Sequence, residues 1–165
     1  MTSRHDRLTR HQTEGARNAL WRWTQAKHPL RVALHYVVIV IARVCPSLRV
    51  KNWLYRRLGM TVGTGAAWGL EATPDVFFPD LVTVESDAIV GYDATLLCHE
   101  FLASEYRTGE VVVGEGAMVG AGAVVLPGVE IGADAQVAAN SLVDEDVPPG
   151  ETVAGVPAEP ISRES

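Results

Sequence analysis

One side chain of this sequence, His99, stands out as able to move a proton. It lies in the tripeptide Cys98-His99-Glu100, and no other histidine occurs between residues 60 and 165. An imidazole titrates near neutral pH and can take the proton of an attacking hydroxyl group. Glu100 is a weak candidate for orienting the ring, because adjacent residues of an extended strand point to opposite sides. From the residue type alone, His99 could be either catalytic or simply solvated.

The elements that must position His99 belong to a six-residue repeat. Its aliphatic positions between residues 113 and 148 are Val113, Val119, Val125, Ile131, Val137 and Val143. A hexad with an aliphatic and a small residue in fixed phase predicts a parallel β-helix, in which three hexads close one triangular coil. We expect Gly, Asn and Asp at the corners, where the backbone adopts conformations that bulky residues resist.

The repeat continues upstream with two breaks. Its phased positions there are Val62, Trp68, Phe78, Val84, Val90 and Leu96. One slip falls between Trp68 and Phe78, and the seventeen residues between Leu96 and Val113 break the frame again, since eighteen would have kept it. We therefore predict a β-helix over residues 60–148, with a loop at 99–110 that carries His99, and a C-terminal extension over residues 149–165.

The N-terminal part of the chain is basic and the remainder is acidic. Residues 1–60 hold twelve Lys and Arg against two acids, whereas residues 61–165 hold two Arg against eighteen acids. An acidic β-helix without lysine indicates a protein adapted to concentrated salt, although an ordinary mildly acidic protein remains an alternative. No nucleic-acid partner is expected. Two cysteines far apart in the sequence and the lack of a secretory signal favour a cytoplasmic location.

Three segments divide the N-terminal part. Residues 1–15 are polar and unpatterned, which predicts a disordered tail. Residues 16–59 predict two or three helices, one of which has Pro29 in its first turn. These helices combine Trp and Tyr with many Arg, so they could lie on a membrane surface. Packing on the end of the β-helix or on neighbouring subunits is the alternative, and the sequence leaves both open.

Two further motifs connect the repeat to a known family. VLPGV at Val125–Val129 and GVPA at Gly155–Ala158, together with His99 on an interrupting segment, resemble the hexapeptide-repeat acyltransferases, especially the sugar and xenobiotic O-acetyltransferases. The resemblance covers about residues 60–161. It implies a mainly β fold, a left-handed parallel β-helix with an N-terminal helical segment, and a homotrimer. It also implies acetyl-CoA as acyl donor, a small-molecule acceptor with a hydroxyl or amine, and no metal.

The same resemblance assigns roles to residues of this chain. It implies that His99 is the general base, in a site between subunits. The residues that it implicates in coenzyme A binding are Ala121, Ala139 and Arg163, and those that it implicates in acceptor binding are Asp75, Asp80 and Asp93. Where many family members have basic residues near the nucleotide phosphates, this chain has Asp144-Glu145 and Glu159. Three alternatives remain open: Arg163 compensates, bound salt cations compensate, or the acyl donor differs from coenzyme A.

Two other functional classes can be compared with this interpretation. A carbonic anhydrase on a β-helix needs three histidine ligands for zinc, and the repeat region has His99 alone, so that class is excluded. A non-catalytic scaffold, docked to a membrane or a partner through its basic helices, remains the alternative.

Overall fold

The computed structural model describes residues 4–161 and shows short helices followed by a triangular parallel β-helix. The α-helices are α1 (Pro29–Val44) and α2 (Leu48–Arg57), and 3₁₀ helices span Arg4–Arg7, Leu20–Gln25 and Pro79–Leu81. The strands are β1 (Thr9–Gln12), β2 (Thr61–Val62), β3 (Ala67–Trp68), β4 (Val82–Val84), β5 (Ile89–Val90), β6 (Thr95–Leu96), β7 (His99–Phe101), β8 (Glu105–Thr108), β9 (Val111–Val113), β10 (Met118–Val119), β11 (Val124–Val125), β12 (Glu130–Ile131), β13 (Gln136–Val137), β14 (Leu142–Val143), β15 (Thr152–Ala154) and β16 (Glu159–Pro160).

Three parallel sheets form the sides of the prism. One contains β2, β4, β9 and β12, the second contains β3, β5, β10, β13 and β15, and the third contains β6, β11 and β14. The phased residues are stacked in register, so that Val90 pairs with Val119 and Val119 with Val137. These side chains are fully buried, and the small residues Ala117 and Ala135 fill the space beside them. The hexad pattern therefore corresponds to the observed core.

The predicted end of the β-helix at residue 148 is too early. Strand β15 pairs in parallel with β13, and Val153 is buried on top of Val137. β16 then returns antiparallel along β15. Part of the predicted C-terminal extension thus belongs to the prism. The predicted corner residues are found as expected, since Gly116 and Asp134 both have positive φ angles, of 66° and 58°.

The upstream break lies at a different position from the one predicted. Thr73 bridges Thr95 in parallel, which puts Pro74 beside Leu96, and Pro74 is buried. Pro74 thus occupies the phased position that the sequence pattern assigned to Phe78. The chain leaves the prism after Pro74 and returns at Val82, so the residue 75–81 segment projects from the same corner as the segment that follows Leu96. Two neighbouring coils place their insertions side by side.

The predicted loop at 99–110 is an antiparallel hairpin of β7 and β8. Strand β1 adds to it, with Thr9 opposite Thr108 and Gln12 opposite Glu105. The structure therefore corrects the expectation of a disordered tail for residues 4–12, because the polar strand β1 satisfies its backbone hydrogen bonds on the exposed edge of β8. Residues 1–3 of that predicted tail lie outside the described residues. We call residues 4–12 the N-terminal strap.

Helix α2 closes the open end of the prism. Lys51 Nζ donates hydrogen bonds to the carbonyl oxygens of Trp68 and Gly69, at 3.2 and 2.8 Å. Asn52 Nδ2 donates to the oxygen of Ala66 at 2.8 Å, and Arg56 Nε donates to the oxygen of Val62 at 2.9 Å. These carbonyl groups belong to the first coil, which has no preceding coil to bond with. The helix therefore supplies the donors that another coil would supply.

The basic N-terminal part is held against the acidic prism by ion pairs. The pairs are Arg4–Glu100, Arg7–Asp146, Arg7–Glu130, Lys27–Asp80 and Arg43–Glu71. Together with the cap that α2 forms, they show that these helices pack on the β-helix, which was one of the two alternatives. None of the helices within residues 4–161 is both long enough and apolar enough to cross a membrane.

Candidate active site

His99 is the first residue of strand β7 and lies at the corner where the two insertions meet. Its Nδ1 atom is 2.5 Å from Oδ2 of Asp75, across the 24 residues that separate two stacked coils. A carboxylate only accepts hydrogen bonds, so Nδ1 carries a hydrogen and donates it to Asp75. The ring is then fixed as the tautomer whose Nε2 is the nitrogen with a free lone pair. The side chain of His99 is 16 % exposed, so a substrate can reach it.

Asp75 is buried and its carboxylate is fully engaged. Oδ1 accepts hydrogen bonds from the backbone N–H groups of Phe77 and Phe78, both at 2.8 Å, and Oδ2 accepts one from the N–H of Cys98 at 2.6 Å. The side chain has no solvent exposure. The expectation that Asp75 binds the acceptor is therefore corrected, because no oxygen of this carboxylate faces a substrate. The carboxylate orients His99 and holds the residue 75–78 turn.

Glu100 does not orient His99. Its Oε1 atom accepts a hydrogen bond from Arg4 Nη1 at 2.7 Å, on the opposite side of the strand from the imidazole. Cys98 is not a nucleophile either, because burial, followed by the charge of Asp75, raises the pKa of its thiol well above its usual range. A buried neutral thiol is inert toward group transfer.

Aromatic rings form a wall around His99. The imidazole centroid lies 4.8 Å from that of Phe77, 5.0 Å from that of Phe101 and 6.0 Å from that of Phe78. Tyr106 packs against Phe101 at 5.7 Å, and burial raises the pKa of its hydroxyl. The wall draws on both insertions, which explains why it could not be recognised from either segment alone. Phasing the repeat on Pro74 would have revealed that the two insertions share a corner.

The N-terminal part also reaches this site. Trp23 contacts the edge of Phe77 at a centroid distance of 5.8 Å, and Lys27 Nζ lies 4.7 Å above the Phe78 ring. His11 of the strap stacks on Tyr106 at 4.5 Å. No sequence signal connects these residues with the site, because each contact depends on how the strap and helices fold back.

The remaining predicted acceptor residues occupy two different places. Asp80 is 52 % exposed and pairs with Lys27 at 3.3 Å, next to the Phe78 ring. It therefore borders the site. Asp93 is exposed at a corner of the prism. Its φ angle is 55°, in the left-handed region that Asp adopts more readily than most residues, so the corner conformation accounts for its presence.

The predicted coenzyme A residues lie on one exposed corner. Ala121 and Ala139 are both exposed and are stacked one coil apart, since the N–H of Asn140 donates to the oxygen of Ala121 at 2.8 Å. Their small side chains leave the corner backbone open to a ligand. Arg163 lies outside the described residues. A cavity of about 430 Å³ is lined by Arg7, Thr9, Gly109 and Gly128 but not by His99. No cluster of metal-ligating side chains occurs within residues 4–161.

Comparison with known proteins gives a consistent family. The family model for the bacterial transferase hexapeptide (six repeats) matches residues 110–145. The chain is 45% identical over 149 residues to the "Putative acetyltransferase YvoF" of Bacillus subtilis (strain 168), covering 90% of this chain and 86% of that protein. The fold matches that of a maltose O-acetyltransferase from Clostridium difficile 630, with a TM-score of 0.65, 15% identity, and 81% and 86% of the two chains covered.

A third similar protein is the hexapeptide-repeat acetyltransferase VCA0836 of Vibrio cholerae, solved in complex with acetyl coenzyme A. Its TM-score is 0.56, at 19% identity, with 81% of this chain and 86% of that chain covered. These structural matches confirm the predicted fold, a left-handed parallel β-helix with a short helical N-terminal segment.

Proposed function

Because this chain belongs to the hexapeptide-repeat acetyltransferases, we propose that it transfers the acetyl group of acetyl-CoA to a hydroxyl group of a sugar-like small acceptor, with His99 as general base. The observation that carries this proposal is the Asp75–His99 hydrogen bond of 2.5 Å. It holds one imidazole as the correct tautomer at an exposed, aromatic-lined corner.

The reaction follows from the atoms available. Nε2 of His99 accepts the proton of the acceptor hydroxyl as its oxygen attacks the thioester carbonyl carbon. The carbon–sulfur bond then breaks, and the imidazolium donates its proton to the departing thiolate of coenzyme A. The Asp75 carboxylate stabilises that imidazolium while it exists, because the two charges are opposite and in contact. Backbone N–H groups at the coil edge are the donors for the oxyanion of the tetrahedral intermediate.

The aromatic wall and the exposed corner suggest how the two substrates are bound. Phe77 and Phe101 offer apolar ring faces beside His99, which suit the C–H face of a sugar ring better than a charged acceptor. Asp80, which is half-exposed at the edge of the wall, can accept hydrogen bonds from neighbouring hydroxyl groups. The pantetheine arm of acetyl-CoA lies along the corner of Ala121 and Ala139 in this proposal. Completion of the site by a second subunit of a homotrimer belongs to the proposal as well.

Replacing His99 tests the proposed chemistry. His99→Ala should lower the rate of thiol release from acetyl-CoA, in the presence of a sugar acceptor, by roughly 10²–10⁴-fold. Binding of coenzyme A, measured by calorimetry, should not change. His28→Asn is the matched control, because His28 is exposed and caps helix α1 through a bond that Asn can also accept. An unchanged rate in His99→Ala would refute the general-base role, whereas wild-type protein that releases no thiol would favour the scaffold.

A further inference from the structure

The outward side of helix α1 is apolar and has no partner within residues 4–161. Leu30, Leu34, Val37, Ile41 and Val44 follow helical spacing and are 75 %, 60 %, 54 %, 53 % and 62 % exposed. We call these five residues the α1 apolar face. The inward side of the same helix is buried through Ile39 and Ala42. Packing on the prism therefore uses only one side of α1, and a contiguous apolar strip of this kind indicates a binding surface.

The charges around this face have a single sign. Residues 15–70 contain nine Lys and Arg and no Asp or Glu. Several of these cations are engaged by the prism, but Arg31 and Arg49 are exposed and form no ion pair with residues 4–161. A ligand of the α1 apolar face therefore meets positive charge and no negative charge from the helical segment.

Two exposed tryptophans of the helical N-terminal part lie against arginines. Trp21 is 68 % exposed with the Arg17 guanidinium 4.5 Å from its ring, and Trp53 is 54 % exposed with that of Arg57 at 5.2 Å. An amphipathic ring beside a cation matches the headgroup level of a bilayer, where Trp enters the apolar layer and Arg meets phosphate.

We propose that the α1 apolar face docks on the surface of an anionic phospholipid bilayer. Helix α1 has 16 residues, so it is about 24 Å long, shorter than the hydrocarbon core. It therefore lies in the plane of the interface, with its apolar face down and Arg31 and Arg49 at the phosphates.

A second copy of this chain fits the same face less well. The acidic prism of another copy would satisfy the arginines but would press carboxylates against the apolar face, which costs desolvation free energy. Two α1 faces placed together would bring like charges into contact. A bilayer supplies apolar contact and negative charge in separate layers, which is the arrangement that this surface presents.

Side chains of the helical N-terminal part contact the candidate active site. His35 of α1 shares a hydrogen bond of 3.0 Å between its Nδ1 and the oxygen of Val76, the residue after Asp75. Trp23 contacts Phe77 in the aromatic wall. Docking of α1 would thus hold the site next to the membrane surface.

The test is flotation of the full-length protein with lipid vesicles. Wild-type protein should float with vesicles of phosphatidylcholine and phosphatidylglycerol, and less with phosphatidylcholine alone. Leu34→Gln/Ile41→Gln should reduce the vesicle partition coefficient about tenfold or more, because it removes two apolar side chains from the bilayer. Arg31→Gln/Arg49→Gln should reduce binding to the anionic vesicles but not to phosphatidylcholine vesicles. This reduction should be smaller in concentrated salt, which screens the charges.

The matched control is Val156→Gln/Ile161→Gln, which removes two exposed apolar side chains from the C-terminal segment and should bind vesicles like wild type. Wild-type protein that floats with neither kind of vesicle would overturn the proposal. So would a Leu34→Gln/Ile41→Gln protein that floats normally. A change of oligomeric mass in that variant would also overturn it, because the face would then be a subunit contact. None of these readouts depends on acetyl transfer, so failure here leaves the proposed function intact.

Discussion

Asp75 links the fold of the chain to its proposed chemistry. Its carboxylate accepts four hydrogen bonds, three from backbone N–H groups and one from His99. The backbone bonds fix the carboxylate before substrate arrives, so orienting the imidazole needs no rearrangement during the reaction. His99, the proposed base, is thereby held against the prism although it lies on a projecting hairpin.

Asp75→Asn should separate the orienting role of the carboxylate from its structural role. The amide keeps the size of the side chain but turns one acceptor oxygen into a donor. That donor faces either the N–H groups of Phe77 and Phe78 or those of Cys98 and His99 Nδ1. We expect kcat to fall roughly 10²–10³-fold, and the free energy of unfolding to fall by about 1–3 kcal/mol. Steady-state kinetics should show little change in the KM for acetyl-CoA. Asp87→Asn is the control, because Asp87 is an exposed corner residue whose φ of 57° Asn also adopts. A stability loss with an unchanged kcat would assign Asp75 a structural role only.

His99 could be identified from the sequence, and the role of Asp75 could not. His99 is the single histidine of a region with a strict period, so the break in that period singles it out. Asp75 lies 24 residues earlier, and its contact with His99 exists only because consecutive coils stack with both insertions at one corner. The lengths of the two insertions contain the information that they share a corner. Phe78 fits a phased position of the repeat, however, so the sequence pattern alone misses the true insertion after Pro74.

Helix α2 supplies hydrogen-bond donors that the first coil of any β-helix needs. The carbonyl groups of that coil have no preceding coil to bond with. Hexad periodicity predicted the strands because each stacked position repeats the same environment. It could not predict the cap, since the donors of Lys51, Asn52 and Arg56 belong to an ordinary amphipathic helix. The strap strand β1 was missed for a similar reason, because its sequence TRHQ is polar and its partner β8 is distant in the chain.

Lys51→Met should destabilise the protein through this cap. The variant leaves the oxygens of Trp68 and Gly69 without their donor, so we expect a loss of about 1–3 kcal/mol in the free energy of unfolding at neutral pH. Arg49→Met, exposed on the same helix, should change it by less than about 0.5 kcal/mol. Chemical denaturation measures both. A Lys51→Met protein as stable as wild type would show that the carbonyl groups do not depend on this ammonium group.

The same variant has a predictable pH dependence. Burial lowers the pKa of Lys51 below its ordinary value of 10.5. As the pH rises from the lowered pKa toward that value, the folded state loses the proton while the unfolded state keeps it. Stability therefore rises with pH in this window. The free energy of unfolding of wild type minus that of Lys51→Met should therefore increase between neutral pH and pH 10.5.

The pair of Arg4 and Glu100 should couple the strap to the β7–β8 hairpin that carries His99. Their side chains are only 10 % and 21 % exposed, so removal of either leaves a poorly solvated charge. A double-mutant cycle of Arg4→Leu and Glu100→Leu should give a coupling free energy of about 1–3 kcal/mol. The exposed pair of Arg7 and Asp146 serves as comparison, with a coupling expected below about 1 kcal/mol. Equal coupling free energies in the two cycles would mean that burial of the Arg4–Glu100 pair does not strengthen it.

At the scale of the whole molecule, the outward side of the prism presents an apolar surface that an assembly could cover. Ile89 and Met118 are paired across β5 and β10 and are 45 % and 38 % exposed. The neighbouring sheet of β9 and β12 is partly covered by the strap, because Arg7 pairs with Glu130. The sheet that contains β5 and β10 thus presents an exposed apolar pair that another subunit could cover.

We therefore expect a homotrimer in solution, with a light-scattering mass three times that of the 17.8 kDa chain. Ile89→Arg should lower that mass toward a single chain, since it places a charge within an apolar contact. It should also lower acetyl transfer, because the proposed coenzyme A groove lies between subunits, while circular dichroism should still show a folded β-helix. Thr61→Arg puts the same side chain on the outward position of a different sheet and should leave the mass unchanged. A wild-type mass of one chain, with full activity, would show that His99 and the Ala121–Ala139 corner work within a single subunit.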